Sequence, residues 1–320
     1  MMADDQKSFV EALLDPRMGL RGKLKALSEV IDWAPLAGMA GQLHTASTGR
    51  KPYPALPMLK ALYLASLYDL SDPALEEALI DRVSFRLFCG FSLEEVTPDE
   101  TTLCRFRNAC AASGLLEAAF AEVNRQFEAR GLMVKKGTLM DATIVAAASR
   151  RPPLAASAKP ELPGEPAASF TRKNGQSHFG YRVHVGADEG SGLVRRVVLT
   201  PAHINESLVA ESLICGDEQA VYADKAYENK RRRAGLKARG VKDRIMHRSH
   251  KNQTALPRWQ QRRNALIARR RAQVERIFGS LKRLYGRARM RYRDFKHNLA
   301  DMYRVMTVFN LRRAIGLAGL

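Results

Sequence analysis

Cysteine is scarce in this chain, and the four present, Cys89, Cys104, Cys110 and Cys215, include no C-x-x-C pair. That excludes the common zinc and dithiol motifs. Cys104 and Cys110 fall in apolar helical settings, and the reading for them is buried free thiols, the ordinary fate of cysteine in a reducing compartment. No G-x-x-x-x-G-K-[S/T] loop occurs, so nucleotide triphosphate chemistry is not indicated. No Ser-His-Asp set stands out, and there is no internal repeat. Long apolar runs are missing too: the longest, around Ala61 to Leu67, is far too short to cross a bilayer. The start, Met1-Met2-Ala3-Asp4-Asp5, is acidic and lacks the basic-then-apolar layout of a signal peptide. A cytoplasmic protein is therefore expected, with no membrane partner.

Acid is also nearly missing from one long stretch. Between Asn229 and Arg293 there are 23 Lys plus Arg and two acids, Asp243 and Glu275; the rest of the chain, with 29 basic and 31 acidic residues, is close to neutral. The net charge of +19 thus resides in one segment. Like charge packed so densely repels itself unless something neutralises it, and phosphates do so best. A membrane surface fits less well, because no long stripe of large apolar residues accompanies the charge.

The 320 residues, 46% hydrophobic and 27% charged, are enough for one large domain or two ordinary ones. Up to about Leu132 the pattern is helical. Leu56, Leu59, Leu62, Tyr63 and Leu67 recur at helical spacing. Asp72-Pro73 reads as a cap followed by a first-turn proline. Thr97-Pro98-Asp99-Glu100 reads as a capping box in which Thr97 caps and Glu100 reaches back. The helix it opens would bury Leu103, Phe106 and Cys110 and offer Thr101, Arg105 and Asn108 on its other face. A further helix runs from about Leu115 to Arg130 and stops at Gly131.

After Gly131 the pattern changes. Thr138 to Ala146 is rich in β-branched and apolar residues, Phe179 to Val185 alternates, and Leu193 to Thr200 is a third strand. Ile204 to Ile214 reads as a helix, Ala220 to Asp224 as a short strand, with another strand near Ile245. Helix returns from about Leu256 to Ile315. This order predicts an α/β domain with a mixed sheet over residues 133–320, preceded by an all-α region over 1–132. Residues 151–169 hold five prolines and resemble a linker by composition. They read instead as a long loop inside the second domain, because residues on both sides of them, Asp141 and Asp224, have to meet for the chemistry that the acids suggest.

That chemistry is phosphodiester transfer. Moving a phosphodiester to water or to a 3′-hydroxyl requires an activated nucleophile and a stabilised leaving oxygen, and two divalent ions roughly 3.5–4 Å apart supply both. Mg²⁺ is held by carboxylates converging from different elements. Three acids are placed for this: Asp141 in the first β-rich run, Asp224 ending a short strand, and Glu275 alone on the basic C-terminal helix. Singly, each has an ordinary explanation as a turn residue or a surface ion pair; the combination is what suits a metal site. His178 and His184 are read as structural or substrate-positioning, since hard ions prefer oxygen ligands.

These residues carry a family resemblance over nearly the whole length. It lies in Pro57 to Leu62, Leu75 to Leu79, Asp81 to Phe85, Phe88-Cys-Gly90 and Pro98 to Arg107, then in Asp141-Ala-Thr143, His178-Phe-Gly-Tyr181, Ala223-Asp-Lys-Ala-Tyr227 and Val274-Glu-Arg-Ile-Phe278. In these the chain resembles insertion-sequence transposases of the IS-five family, within the wider DDE group. The family's late signature is Tyr, two residues, Arg, three residues, Glu, six residues, Lys. Arg271, Glu275 and Lys282 match it, while Ala268 stands where the family often has Tyr. On a helix, positions 271, 275 and 282 fall within about 40° of one another.

The resemblance implies an RNase H-like domain with Asp141, Asp224 and Glu275 as catalytic metal ligands. It implies Mg²⁺ or Mn²⁺ as cofactor, two ions per site. Arg271 and Lys282, with Thr101, Arg105 and Asn108, would contact double-stranded DNA, both transposon ends and target, in a homo-oligomeric complex. Two other readings are open: a decayed or domesticated DNA-binding protein derived from a transposase, and a nuclease that hydrolyses without joining.

Overall fold

The computed structural model describes residues 20, 22–43, 52–149, 165–249 and 255–320. Most of the proline-rich stretch at 151–169 lies outside the described residues. Its far base is inside: Glu165 is buried and accepts from the amides of Ala148, at 3.3 Å, and Ser149, at 2.8 Å. The segment therefore leaves and re-enters the fold at one place.

The N-terminal part is helical, as expected: α1 (Gly22–Glu29), α2 (Ala34–Gly41), α3 (Ala55–Leu67), α4 (Asp72–Asp81), α5 (Val83–Cys89), α6 (Glu100–Ser113) and α7 (Leu115–Ala129). Two caps differ from the sequence reading. Ser71, not Asp72, caps α4. Asp99, not Thr97, caps α6 by accepting from the Thr102 amide at 2.6 Å. For α6 the reason is tertiary: Glu76 of α4 takes the Glu100 amide at 2.7 Å, the donor that a Thr97 cap would use. Leu103, Phe106 and Cys110 are buried on α6, and Thr101, Arg105 and Asn108 are exposed, as the periodicity requires. All four cysteines are free, but Cys104 is only partly buried, because it sits at the margin of that apolar face.

The second part is built on a six-stranded mixed sheet of order β2-β3-β1-β5-β6, with β4 also paired to β3. Its strands are β1 (Thr138–Ala146), β2 (Ser169–Lys173), β3 (Gln176–Asp188), β4 (Val194–Pro201), β5 (Ala220–Ala223) and β6 (Lys242–Ile245). Between and after them come α8 (Glu206–Leu213), α9 (Lys230–Ala238), α10 (Arg258–Arg283) and α11 (Phe295–Ala318). Side chains alternate across β1. Leu139 and Val145 enter the large core shared with the N-terminal helices, α10 and α11. Met140 enters a smaller core with Ala210 and Leu213 of α8, Val221, Ala223, Tyr227 and Leu236. The sheet is thus covered on both faces, and its two helical layers meet β1 from opposite sides.

Two details shape the surroundings of β1. Gly180 lies where β3 crosses closest to it: a β-carbon there would collide with the Val145 carbonyl and come within 2.7 Å of the Ala147 amide nitrogen. This gives a steric reason for glycine in the His178-Phe-Gly-Tyr181 motif. Secondly, β5 runs parallel to β1 only at its start, pairing Val221 with Thr138 and Tyr222 with Leu139. Beyond that the chain leaves β5 at Asp224. Among the described residues, β1 next meets a neighbour on that side where Ala146 bridges Arg289. A notch opens beside the middle of β1, at the C-terminal end of β5.

Candidate active site

Asp141 stands on β1 beside this notch, and Asp224 stands at its edge, directly after β5. Asp141 points to the same side of β1 as Leu139, towards α10, and its Oδ2 lies 2.9 Å from Nη2 of Arg271. Its Oδ1 accepts from the Ala142 amide at 2.9 Å. Asp224 follows β5 directly and caps the 3₁₀ turn Lys225–Tyr227, accepting from the Ala226 amide at 2.8 Å. Burial pushes the Asp141 carboxyl above its ordinary range; Arg271 opposes the shift and the charge of Asp224 adds to it. The two acids, 83 residues apart in sequence, are therefore within electrostatic reach of each other.

The other expected residues are placed less tightly. Glu275 lies one turn beyond Arg271 on α10; it is exposed and makes no ion pair among the described residues. Lys282 is half-buried, and burial together with the nearby Lys173 lowers its pKa. Arg271 is turned inward onto Asp141, so the shared helix face predicted for positions 271, 275 and 282 carries one residue already engaged with the sheet.

Three residues that the sequence did not single out, Glu206, Tyr227 and Lys173, are within electrostatic reach of Asp141. Glu206, the first residue of α8, pairs with Arg182 of β3 at 2.8 Å, and both side chains are mostly buried. Burial raises the Glu206 carboxyl; Arg182 opposes, and Asp224 and Asp141 both add to the rise. Tyr227 is fully buried, and its hydroxyl has no hydrogen-bond partner among the described residues. Lys173, at the end of β2, is exposed and contributes positive charge to Asp141, Glu206 and Lys282 alike. An acid after Asn205 is ordinary cap chemistry, so nothing in the local pattern distinguishes Glu206 from a first-turn glutamate of any helix.

A second acidic group lies elsewhere. Among the described residues, the one trio whose possible metal-binding atoms all come within 4.8 Å of each other is Cys215, Asp217 and Glu218. A guanidinium already fills it: Arg195 lies 2.6 Å from Asp217 and 3.9 Å from Glu218. Asp141, Asp224 and Glu275 are not drawn so close together here. His184 is buried against the Thr200 hydroxyl at 2.9 Å, and burial with Arg182 pushes its pKa down to about 4.

Much of the basic segment is also internal. Arg232 pairs with Glu211, Arg233 with Asp243 and Arg287 with Asp301. The exposed remainder is richest along α10, where Arg258, Arg262, Arg269, Arg270 and Arg276 face solvent.

A mixed sheet covered on both faces, preceded by a helical region and carrying one acid on β1 and another directly after the adjacent parallel β5, defines an α/β protein of the RNase H-like kind. A family model of the transposase DDE domain matches residues 133–311, and a second, a transposase domain, matches residues 13–109. The chain belongs to the DDE transposase domain family. No solved structure matches it. Among the described residues, no helix is long and apolar enough to cross a membrane.

Proposed function

We propose that this transposase, of the IS-five family, binds the terminal inverted repeats of its element and catalyses metal-dependent strand cleavage and strand transfer. The observation that carries the reading is the meeting of Asp141 and Asp224 at the open end of β5, with Arg271 of the basic helix already on Asp141. Asp141, Asp224 and Glu275 would hold Mg²⁺ or Mn²⁺, two ions per site. The donor set fits hard cations, since the acids offer oxygen and the nearby His184 is buried and turned to Thr200. Bound ions would supply charge stabilisation at the attacking and leaving oxygens. Arg271 serves as the counter-ion of Asp141 and becomes available to a phosphate when that carboxylate takes another partner.

The helical region up to about residue 132 acts as the DNA-recognition part, with Thr101, Arg105 and Asn108 as its candidate contacts, and residues 133–320 as the catalytic part. Incubation with DNA carrying the element's own ends tests the reading. Cleavage and joined products with Mg²⁺, and none with EDTA, are expected; cutting without joining would favour a nuclease. Specific binding without any cutting would favour a decayed DNA-binding derivative.

Lys282 carries a separate expectation. Two lysines, Lys173 and Lys282, share one neighbourhood, and a phosphate would relieve their mutual repulsion. Lys282→Ala should weaken binding to all duplex sequences alike and reduce the slope of log affinity against log salt by roughly 0.9, the share of one phosphate contact. Filter binding across a salt series would measure it, and an unchanged slope removes Lys282 from the interface.

A further inference from the structure

Tyr227 and the helix that Glu206 opens lie on the opposite side of the sheet from Arg271, yet both residues are within electrostatic reach of Asp141 and Asp224. Tyr227 packs in the smaller core, and α8, which Glu206 opens, lies against the 3₁₀ turn that carries Tyr227. The Tyr227 hydroxyl is fully buried and has no partner among the described residues, although the charges of Glu206, Asp141 and Asp224 all reach it, that of Glu206 most strongly. Buried hydroxyls in folded proteins nearly always find a partner. A buried donor left unmet within electrostatic reach of three carboxylates is free to take one of them when their side chains rearrange.

Glu206 fits that role. It is no surface ion pair: its side chain is 18% exposed and that of Arg182 14%. Two arginines, Arg182 and Arg271, hold the carboxylates on the two sides of the notch, at 2.8 Å and 2.9 Å. Both cations have phosphate as their natural alternative partner. We propose that Glu206 is a fourth carboxylate of the metal site, released from Arg182 and steadied by the Tyr227 hydroxyl when divalent cations enter. This rests on the proposed transposase function, and it adds a ligand from α8 that the three expected acids do not include. The charge count supports it. Two divalent ions bring four positive charges, against three negative charges from Asp141, Asp224 and Glu275; Glu206 supplies the fourth.

The test is Mn²⁺ binding to the full-length protein without DNA, followed by calorimetry and by the paramagnetic resonance signal of free Mn²⁺. Glu206→Gln should weaken the ion about tenfold or more, the scale on which metal-site partners act. Glu206→Asp should restore most of the affinity. Tyr227→Phe should weaken it in the same direction by a smaller factor. Glu211→Gln, on the same helix but paired with Arg232, should bind as wild type. Asp141→Asn separates the two failures. If Asp141→Asn abolishes binding while Glu206→Gln leaves it intact, this inference falls and the active-site reading stands. If wild type binds no Mn²⁺, or Asp141→Asn has no effect, both fall.

Discussion

Asp141→Asn and Asp224→Asn should each reduce DNA cleavage at least about a thousandfold while leaving DNA binding near wild type. A neutral amide is a poor ligand for a hard divalent ion. The charge stabilisation lost is several kcal/mol, and each 1.36 kcal/mol is about a factor of ten in rate. Fold stability should respond differently. Burial already raises the Asp141 carboxyl in spite of Arg271 beside it, so the charged form gains little from the fold. Replacing it with asparagine leaves Arg271 without its counter-ion but also removes a costly desolvation and the repulsion of Asp141 by Asp224 and Glu206, so the metal-free protein should lose no more than about 1–2 kcal/mol. Wild type should melt higher when Mn²⁺ is added, and both variants should lose that gain. Melting curves with and without metal, read beside cleavage gels, check all of this. Normal cutting by either variant would remove that residue from the site.

The largest effect on the fold is expected at Asp301. Its carboxylate accepts from Arg287, at 2.6 Å and 3.0 Å, and from Arg304. All three residues are buried, and Arg287 also reaches Asp69 at 3.0 Å, in the loop after α3. This cluster ties the turn after α10 and the start of α11 to the helical region. Burial alone would push the Asp301 carboxyl up, but the two arginines overrule it and hold it far below the usual range.

Asp301→Asn strands two buried guanidinium groups, at a cost of about 3–5 kcal/mol. That is a large share of the roughly 5–15 kcal/mol that holds a protein folded. The melting temperature should drop by roughly 10 °C. Because the folded pKa is depressed, the contribution is complete above the unfolded value. It is lost as pH falls below about 4. Wild-type melting at pH 7 by the Asn variant would mean that other groups satisfy the arginines.

How much of the fold is legible in the sequence depends on where the interactions run. The limits of β1 follow from its own residues, Thr138 to Ala146, because a β-branched run buried on both faces signals itself. β3 is longer than its alternating pattern suggests. Gln176 to His178 are polar and extend the strand only because β2 pairs with them, and β2, with no fully buried residue, has no apolar period. The cap of α6 departs from the local capping box because Glu76, distant in sequence, takes the Glu100 amide that such a box would use.

The site shows the same division. Asp141 and Asp224 stand in motifs that the sequence displays. Glu206 and Arg182 are 24 residues apart and meet only through the folding of β3, β4 and α8. The charge count of the basic segment locates the positive region but does not separate Arg287, fully buried on Asp301, from the exposed arginines of α10.

Glu275 is the sharpest point of the account, since it is exposed and stands apart from the two aspartates. Glu275→Gln keeps the side chain's shape and removes one negative charge from a basic helix. Measured on duplex carrying the element's ends, its affinity should equal or exceed that of wild type, while cleavage with Mg²⁺ should fall at least about a thousandfold. Wild-type cleavage by Glu275→Gln under the same conditions would contradict the account, and the third ligand would have to come from another element.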